Sequence, residues 1–469
     1  MSGPSSSPPN PPAPALRRGL KVVGTLLITL SAISPASSVF IIAPGVVGQA
    51  GSGALWSFLV AAVVGVFMAF VYAELASAYP LSGGEYAIVA RTLGRLPGFV
   101  TLGLLMVTQL LIIAVIALGV GTYLEVLVPG LPGPVVAAAV TAGTTALAVF
   151  DVRLNAWITG VFLVVEMLAL AVVTALGLAD PARPVGDLLA DPVAAADGVV
   201  GPASVGVIAA AAAVAIFSYN GYGSAVYFGE ETANAHRGIA RAILWALAIT
   251  VASELIPVTA VLLGAPSLGE LFAADNMMSY FVTARAGTAV NTVISLAVAL
   301  AILNAVLAII LITSRMVFST GRDAVWPGNI SRNLAAIHPR TNTPWVATIA
   351  TGAFATLLCF VDEDFLLVVT ATSIVAVYAA LCLAVVAGRR NGSTAHAAYR
   401  MPLFPVAPVL ALAALAYVVW QNAVDPVVGR PSLAITVGIC VVSASYYLLV
   451  VRRRGAWVLR GPGSDDEPS

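Results

Sequence analysis

Two glutamates stand alone in long apolar stretches, Glu166 in Leu163-Val164-Val165-Glu166-Met167-Leu168 and Glu254 in Ala252-Ser253-Glu254-Leu255-Ile256-Pro257. An ionisable group at membrane depth is costly and by default marks a functional position. A carboxyl taken out of water can bind and release a proton near neutral pH, so both are candidates to carry a coupling proton. The alternative for each is a glutamate that hydrogen-bonds a neighbouring helix and does no chemistry. Between them, Phe217-Ser218-Tyr219-Asn220-Gly221-Tyr222-Gly223 interrupts an apolar run from about Ala203 to Gly229. Glycine, serine and asparagine are poor helix formers there. Broken backbone at that depth survives only where it is buried in protein or lines a cavity. Its two half-helix ends offer free N–H and C=O groups to a small charged solute. Phe217, Ser218, Tyr219, Asn220 and Gly221 are therefore candidate binding residues.

The elements that hold these residues follow from composition. Of 469 residues, 60% are hydrophobic and 9% charged, against about a quarter charged in soluble domains. The fold class expected is an all-α polytopic membrane protein embedded in a lipid bilayer. Charges, Pro and Gly bound twelve transmembrane helices: roughly 19–48, 54–79, 97–128, 134–150, 155–178 and 203–229, then 239–264, 288–320, 344–360, 365–388, 403–424 and 433–451. Residues 1–16, rich in Ser and Pro, and 461–469 are expected to be disordered tails. Residues 17–460 form one membrane domain. The first span is too long for the apolar core of a signal peptide and reads as uncleaved.

A net charge of zero gives no argument for a nucleic-acid partner. The cysteines (Cys359, Cys382, Cys440) lie in apolar runs and read as packing residues, and the histidines (His236, His338, His396) lie in polar connections. Neither set suggests a metal site or a cofactor. Without an intramembrane His, an HExxH pair or a carboxylate dyad, a hydrolase is disfavoured. A channel would want a repeated pore segment or a ring of charge. With the N-terminus placed in the cytoplasm, 19 of the 22 Lys and Arg residues fall on the inner side, leaving Arg183, Arg285 and Arg430 outside. Both termini are then cytoplasmic and the protein is a multi-pass component of the cytoplasmic membrane.

The first span carries its own interruption, Ser34-Pro35-Ala36-Ser37-Ser38. Pro35 lacks an N–H and its ring clashes with the preceding turn, so the helix should break near Ser34. Spans one and six are five apart, as in a 5+5 inverted repeat, with repeat 1 at about 19–178, repeat 2 at about 203–388 and two further helices at about 403–451. In such a pair the breaks meet near the midplane. One set of half-helix ends offers N–H groups to an anion and the other offers carbonyls to a cation. Ser34, Ala36, Ser37 and Ser38 join the candidate substrate-binding residues, and an amino acid zwitterion suits the arrangement. Pro and Gly also mark simple kinks or close helix packing. Thr108 in span three, and Thr372 or Ser373 in span ten, could line the same pocket or could be packing hydroxyls.

Three segments resemble the amino acid–polyamine–organocation (APC) superfamily. Ala73-Glu74-Leu75 with Tyr79-Pro80-Leu81-Ser82-Gly83-Gly84-Glu85-Tyr86 is similar to that family's "AEL…YP.(S/A)GG.Y". Gly229-Glu230-Glu231-Thr232-Ala233-Asn234, then Arg237-Gly238-Ile239-Ala240-Arg241-Ala242-Ile243, resembles "EET.NP.R.IPRAI". Ser314-Arg315-Met316, Gly321-Arg322-Asp323-Ala324 and His338-Pro339-Arg340-Thr341-Asn342-Thr343-Pro344 resemble "SR…RDG..P…HP.T.TP". The resemblance implies a LeuT-type fold with broken helices 1 and 6, and secondary active transport of an amino acid or organic amine. The family's "GSGIF" matches Ala36-Ser37-Ser38-Val39-Phe40, with both glycines replaced by residues whose side chains intrude on a flat-lying carboxylate. Phe217 looks like the family's aromatic lid, and Gly223 stands where "GYE" has an acid. Several members carry a lysine near Glu166 in place of a sodium ion. Glu74 is expected to pair with an inner-side arginine such as Arg322.

A sodium site would want hydroxyls from span eight, which between Ser295 and Thr313 offers only Asn304. Proton coupling, or exchange without an ion, is therefore favoured. The expected function is proton-coupled import of an amino acid or small amine; the alternative is an amino acid/polyamine exchanger.

Overall fold

The computed structural model describes residue 16 and residues 19–125, 130–196, 199–370 and 372–460. The tail from residue 461, Arg17 and Arg18, and all of the first tail except Leu16 lie outside the described residues.

The chain opens with α1 (Val22–Ile33), which stops at Ser34. Ser34 takes left-handed backbone angles (φ 50°), and Pro35 starts a new helical run at its first position, where a missing N–H breaks no bond. That run passes from α2 (Pro35–Ser37) through a π-turn at Ser38–Ile42 into α3 (Ala43–Ala50). A turn at Gly51–Gly53 leads into α4 (Ala54–Ala78). A short α5 (Glu85–Thr92) then connects to α6 (Arg95–Glu125), α7 (Gly133–Ala148) and α8 (Val152–Ala179). Asp151 caps α8 by accepting from the Arg153 amide. Beyond α9 (Val185–Ala190), β1 (Val193–Ala196) and β2 (Val199–Pro202) pair as an antiparallel hairpin that sequence reading did not anticipate.

After the hairpin, α10 (Val205–Ser218) gives way at Tyr219–Gly221 to a 3-10 segment, Tyr222–Phe228. The long helices α11 (Ala235–Gly264) and α13 (Met277–Arg322) flank α12 (Leu268–Ala273), and α13 turns sharply at Gly287. The chain closes with α14 (Gly328–Leu334), α15 (Trp345–Leu358), α16 (Glu363–Thr370), α17 (Ser373–Asn391), α18 (Val406–Val424) and α19 (Gly429–Tyr446).

Among the described residues nine stretches are long and apolar enough to cross a membrane. The first of them, Val22–Ala78, contains both the Ser34 break and the Gly51–Gly53 turn. α7 and α15 are shorter apolar helices. The protein is a helical, polytopic integral membrane protein. Its lipid-facing and inward faces are separable on α8, where Trp157, Val161, Val164, Leu168 and Val172 are exposed and Thr159, Leu163, Glu166, Leu170 and Val173 are buried. Those two stripes follow helical spacing, so Glu166 points into the bundle. α13 runs through the centre, packed on α1, α6, α7 and α8.

Candidate functional site

The two interrupted helices run antiparallel against each other. α1 packs on the 3-10 segment and α3 packs on α10. Where the first begins the second ends: the amides of Gly19 and Leu20 both donate to the Glu231 carbonyl at 2.9 Å, and the Ala233 amide donates to the Leu20 carbonyl at 2.8 Å. The breaks themselves touch, because Ser38 Oγ donates to the Ser218 carbonyl at 3.1 Å. Gly221 makes this approach possible. Its φ of 117° disfavours other residues, and a Cβ there would stand 2.8 Å from Ile33 Cγ1.

Each break is held by a glutamate from a neighbouring helix. Glu166 Oε1 accepts from the Ala36 amide at 2.7 Å and from Ser34 Oγ at 3.0 Å. Ser34 Oγ also lies 2.7 Å from Ser37 Oγ. The carboxyl thus caps the N-terminus of the run that starts at Pro35, where N–H groups would otherwise lack partners. At the other break, Glu254 Oε2 accepts from Ser218 Oγ at 2.5 Å. The second oxygen of each, Glu166 Oε2 and Glu254 Oε1, is buried without a hydrogen bond. Among the described residues neither glutamate has an ion-pair partner.

Beside the breaks is a cavity of about 180 Å³. Ser38, Phe217, Ser218, Asn220 and Gly221 line it, five of the residues singled out from sequence. Ser34 and Ala36 are engaged by Glu166 instead, with Ser37 beside them. Tyr219 is buried edge-on against Phe58, ring centroids 5.8 Å apart, and is not part of the lining. Thr108 is buried with its hydroxyl unpaired, but the lining takes its neighbours Leu105 and Gln109. Thr372 and Ser373 bond to Ser432 and Thr436 of α19, as packing hydroxyls do. The cavity also gathers Tyr72, Glu85 and Tyr378, which sequence reading did not assign to the site. Glu85 had a signal, since it falls inside a motif. Tyr378 had a weaker one, a hydroxyl in an apolar span that needs a partner; it donates to Asn220 Oδ1.

One expected pairing is corrected. Glu74 binds Arg389 rather than Arg322, through two contacts at 2.7 and 2.5 Å, with the guanidinium 4.3 Å from the centre of the Phe404 ring. The reason is packing, because α4 lies against α17. Arg322 instead meets Glu230 at 2.6 Å, and Arg315 meets Glu231 at 2.6 and 3.0 Å. Asn304 donates to the Thr159 carbonyl, tying α13 to α8.

Two interrupted membrane helices meet over a small cavity lined by both polar groups and isoleucines, an arrangement suited to a permease, a protein that passes solutes. The chain belongs to the amino acid permease family, whose sequence profile matches residues 20–444; it is a transporter and not an enzyme. It is similar to an uncharacterized transporter of Mycobacterium tuberculosis, 33% identical over 349 residues that cover 73% of this chain and 74% of the relative. It is also similar to the branched-chain amino acid permease BcaP of Bacillus subtilis, 24% identical over 426 residues, 85% of this chain and 86% of that one. A methylthioribose transporter of Bacillus subtilis is 26% identical over 404 residues, 80% and 82% of the two chains.

Proposed function

We propose that this protein imports an amino acid or small organic amine across the cytoplasmic membrane, driven by the proton gradient, by alternating access. The architecture read for it is a LeuT-type 5+5 inverted repeat of twelve helices with both termini in the cytoplasm. The count is supported by arithmetic: Val22–Ala78, divided at its turn, makes the nine long stretches ten crossings, and α7 and α15 bring them to twelve. The repeat is supported by the antiparallel contact of the two interrupted helices and by the bond between Ser38 and Ser218. A branched aliphatic amino acid is the first substrate to test, since BcaP is named for that class and isoleucines 112, 116, 309, 312 and 374 wall the cavity.

The observation that carries proton coupling is Glu166 on the Ala36 amide. As a carboxylate, Glu166 holds the outer run of the first helix through charge-assisted bonds, which are stronger than neutral ones. Protonation weakens those bonds and frees an amide at a helix N-terminus, where a substrate carboxylate is favoured. Proton binding at Glu166 and substrate binding at the Ala36 amide then favour each other, which links the two. Glu254, on the Ser218 hydroxyl, is the second candidate, acting on the other break.

The test is uptake of labelled isoleucine into proteoliposomes. An inward proton gradient should drive accumulation without sodium. A strict sodium requirement would overturn proton coupling. Counterflow that ignores the gradient entirely would favour the exchanger instead.

A further inference from the structure

We propose that the Glu85 end of the cavity is a seat for an aliphatic ammonium group, so that the substrate lies with its amine toward α5 and its hydrocarbon among the isoleucines. The proposal rests on the transporter reading above and assigns the polarity of the site.

Glu85 is the first residue of α5, in the connection between the apolar helices α4 and α6. It is only 5% exposed, yet it lines the cavity. Its Oε1 accepts from the Tyr72 hydroxyl at 3.2 Å. Its Oε2 is buried without a hydrogen bond of ordinary length and angle, and the Tyr227 hydroxyl stands close enough to it to stabilise the charged carboxylate. Among the described residues no arginine or lysine forms an ion pair with it. A buried carboxylate oxygen with no well-formed hydrogen bond is a strong acceptor with capacity to spare.

The surroundings are aromatic. Tyr72 stands edge-on to Tyr378 at 5.7 Å and to Tyr222 at 6.0 Å, measured between ring centres. Aromatic rings attract cations while excluding water. The backbone is shaped for this packing: at Gly84 (φ 59°) a Cβ would lie 2.6 Å from the Tyr227 ring. Burial raises the Glu85 carboxyl from its ordinary range, with Tyr227, the Glu85 amide and Tyr72 pulling it back. An arriving cation would restore the charged form. In the same cavity Ile112, Ile116 and Ile309 present hydrocarbon, and a volume of about 180 Å³ admits only a small solute.

The test uses three isosteres on the purified full-length protein: isobutylamine, isobutanol and isobutyrate, by thermal shift. Stabilisation by the amine and not by the alcohol or the acid is expected. In Glu85→Gln the amine concentration for half-maximal stabilisation should rise about tenfold or more, and Glu85→Asp should keep the preference for amine over alcohol. Equal responses to amine and alcohol in the wild type overturn the seat, whether or not the variant folds. So does a Glu85→Gln protein that binds amine normally but loses its response to a proton gradient, which would make Glu85 a proton carrier. Failure of the transporter reading is separate: amine would still stabilise the protein, but proteoliposomes would show no uptake.

Discussion

Glu166 Oε1 lies 2.7 Å from the amide nitrogen of Ala36, so a side chain of α8 closes the helix end that Pro35 opens. A side-chain carboxyl thus takes a backbone amide that the break in the first helix would otherwise leave without a partner.

Glu166→Gln keeps the size of the side chain and an oxygen to accept from Ala36, but it cannot gain a proton. The variant should retain isoleucine counterflow in proteoliposomes while its net uptake no longer rises with an inward proton gradient. A gradient response equal to wild type would remove Glu166 from the coupling step.

Arg315 and Glu231 are paired inside the protein, with side chains 0% and 1% exposed. Breaking a buried pair by removing one partner strands the other charge and costs about 3–5 kcal/mol. Arg315→Ala should therefore unfold at a clearly lower temperature in detergent, and Arg315→Met combined with Glu231→Leu should recover most of the loss. The comparison is read by thermal denaturation of the three proteins.

Gly221→Ala places a Cβ against Ile33 at a backbone angle that an L residue rarely adopts. The strain expected is about 1–3 kcal/mol. Because Gly221 joins the two halves of the interrupted helix beside the Ser38–Ser218 bond, transport should fall more than the melting temperature suggests. Uptake rate and thermal midpoint, measured on one preparation, check this.

Asp323 lies just past the end of α13, where its Oδ1 accepts from the Arg460 amide at 3.1 Å. Burial lifts its carboxyl from 3.8 to about 6, against the opposing pull of Arg322, the Arg460 amide and the Tyr86 hydroxyl. A carboxyl raised by folding is tolerated while protonated, so stability present below the unfolded value is lost as pH rises through the folded one. Relative to wild type, Asp323→Asn should gain up to about 3 kcal/mol between pH 4 and 7. Thermal midpoints across that window give the answer, and parallel curves for the two proteins would rule the effect out.

The membrane spans and the two interruptions were legible in the sequence because they depend on local chemistry. A proline without an N–H stops α1 wherever the helix is placed, and a run of apolar residues must avoid water in any fold. Partner choice was not legible, since it depends on which helices pack together: Glu74 meets Arg389 because α4 lies on α17, although Arg322 was an equal candidate along the chain. For the same reason, a motif made Glu85 visible, but only packing brought it beside Tyr72 and into one cavity with Asn220. Local backbone preference is written residue by residue, whereas the meeting of groups far apart in the chain is decided by how the helices bury one another.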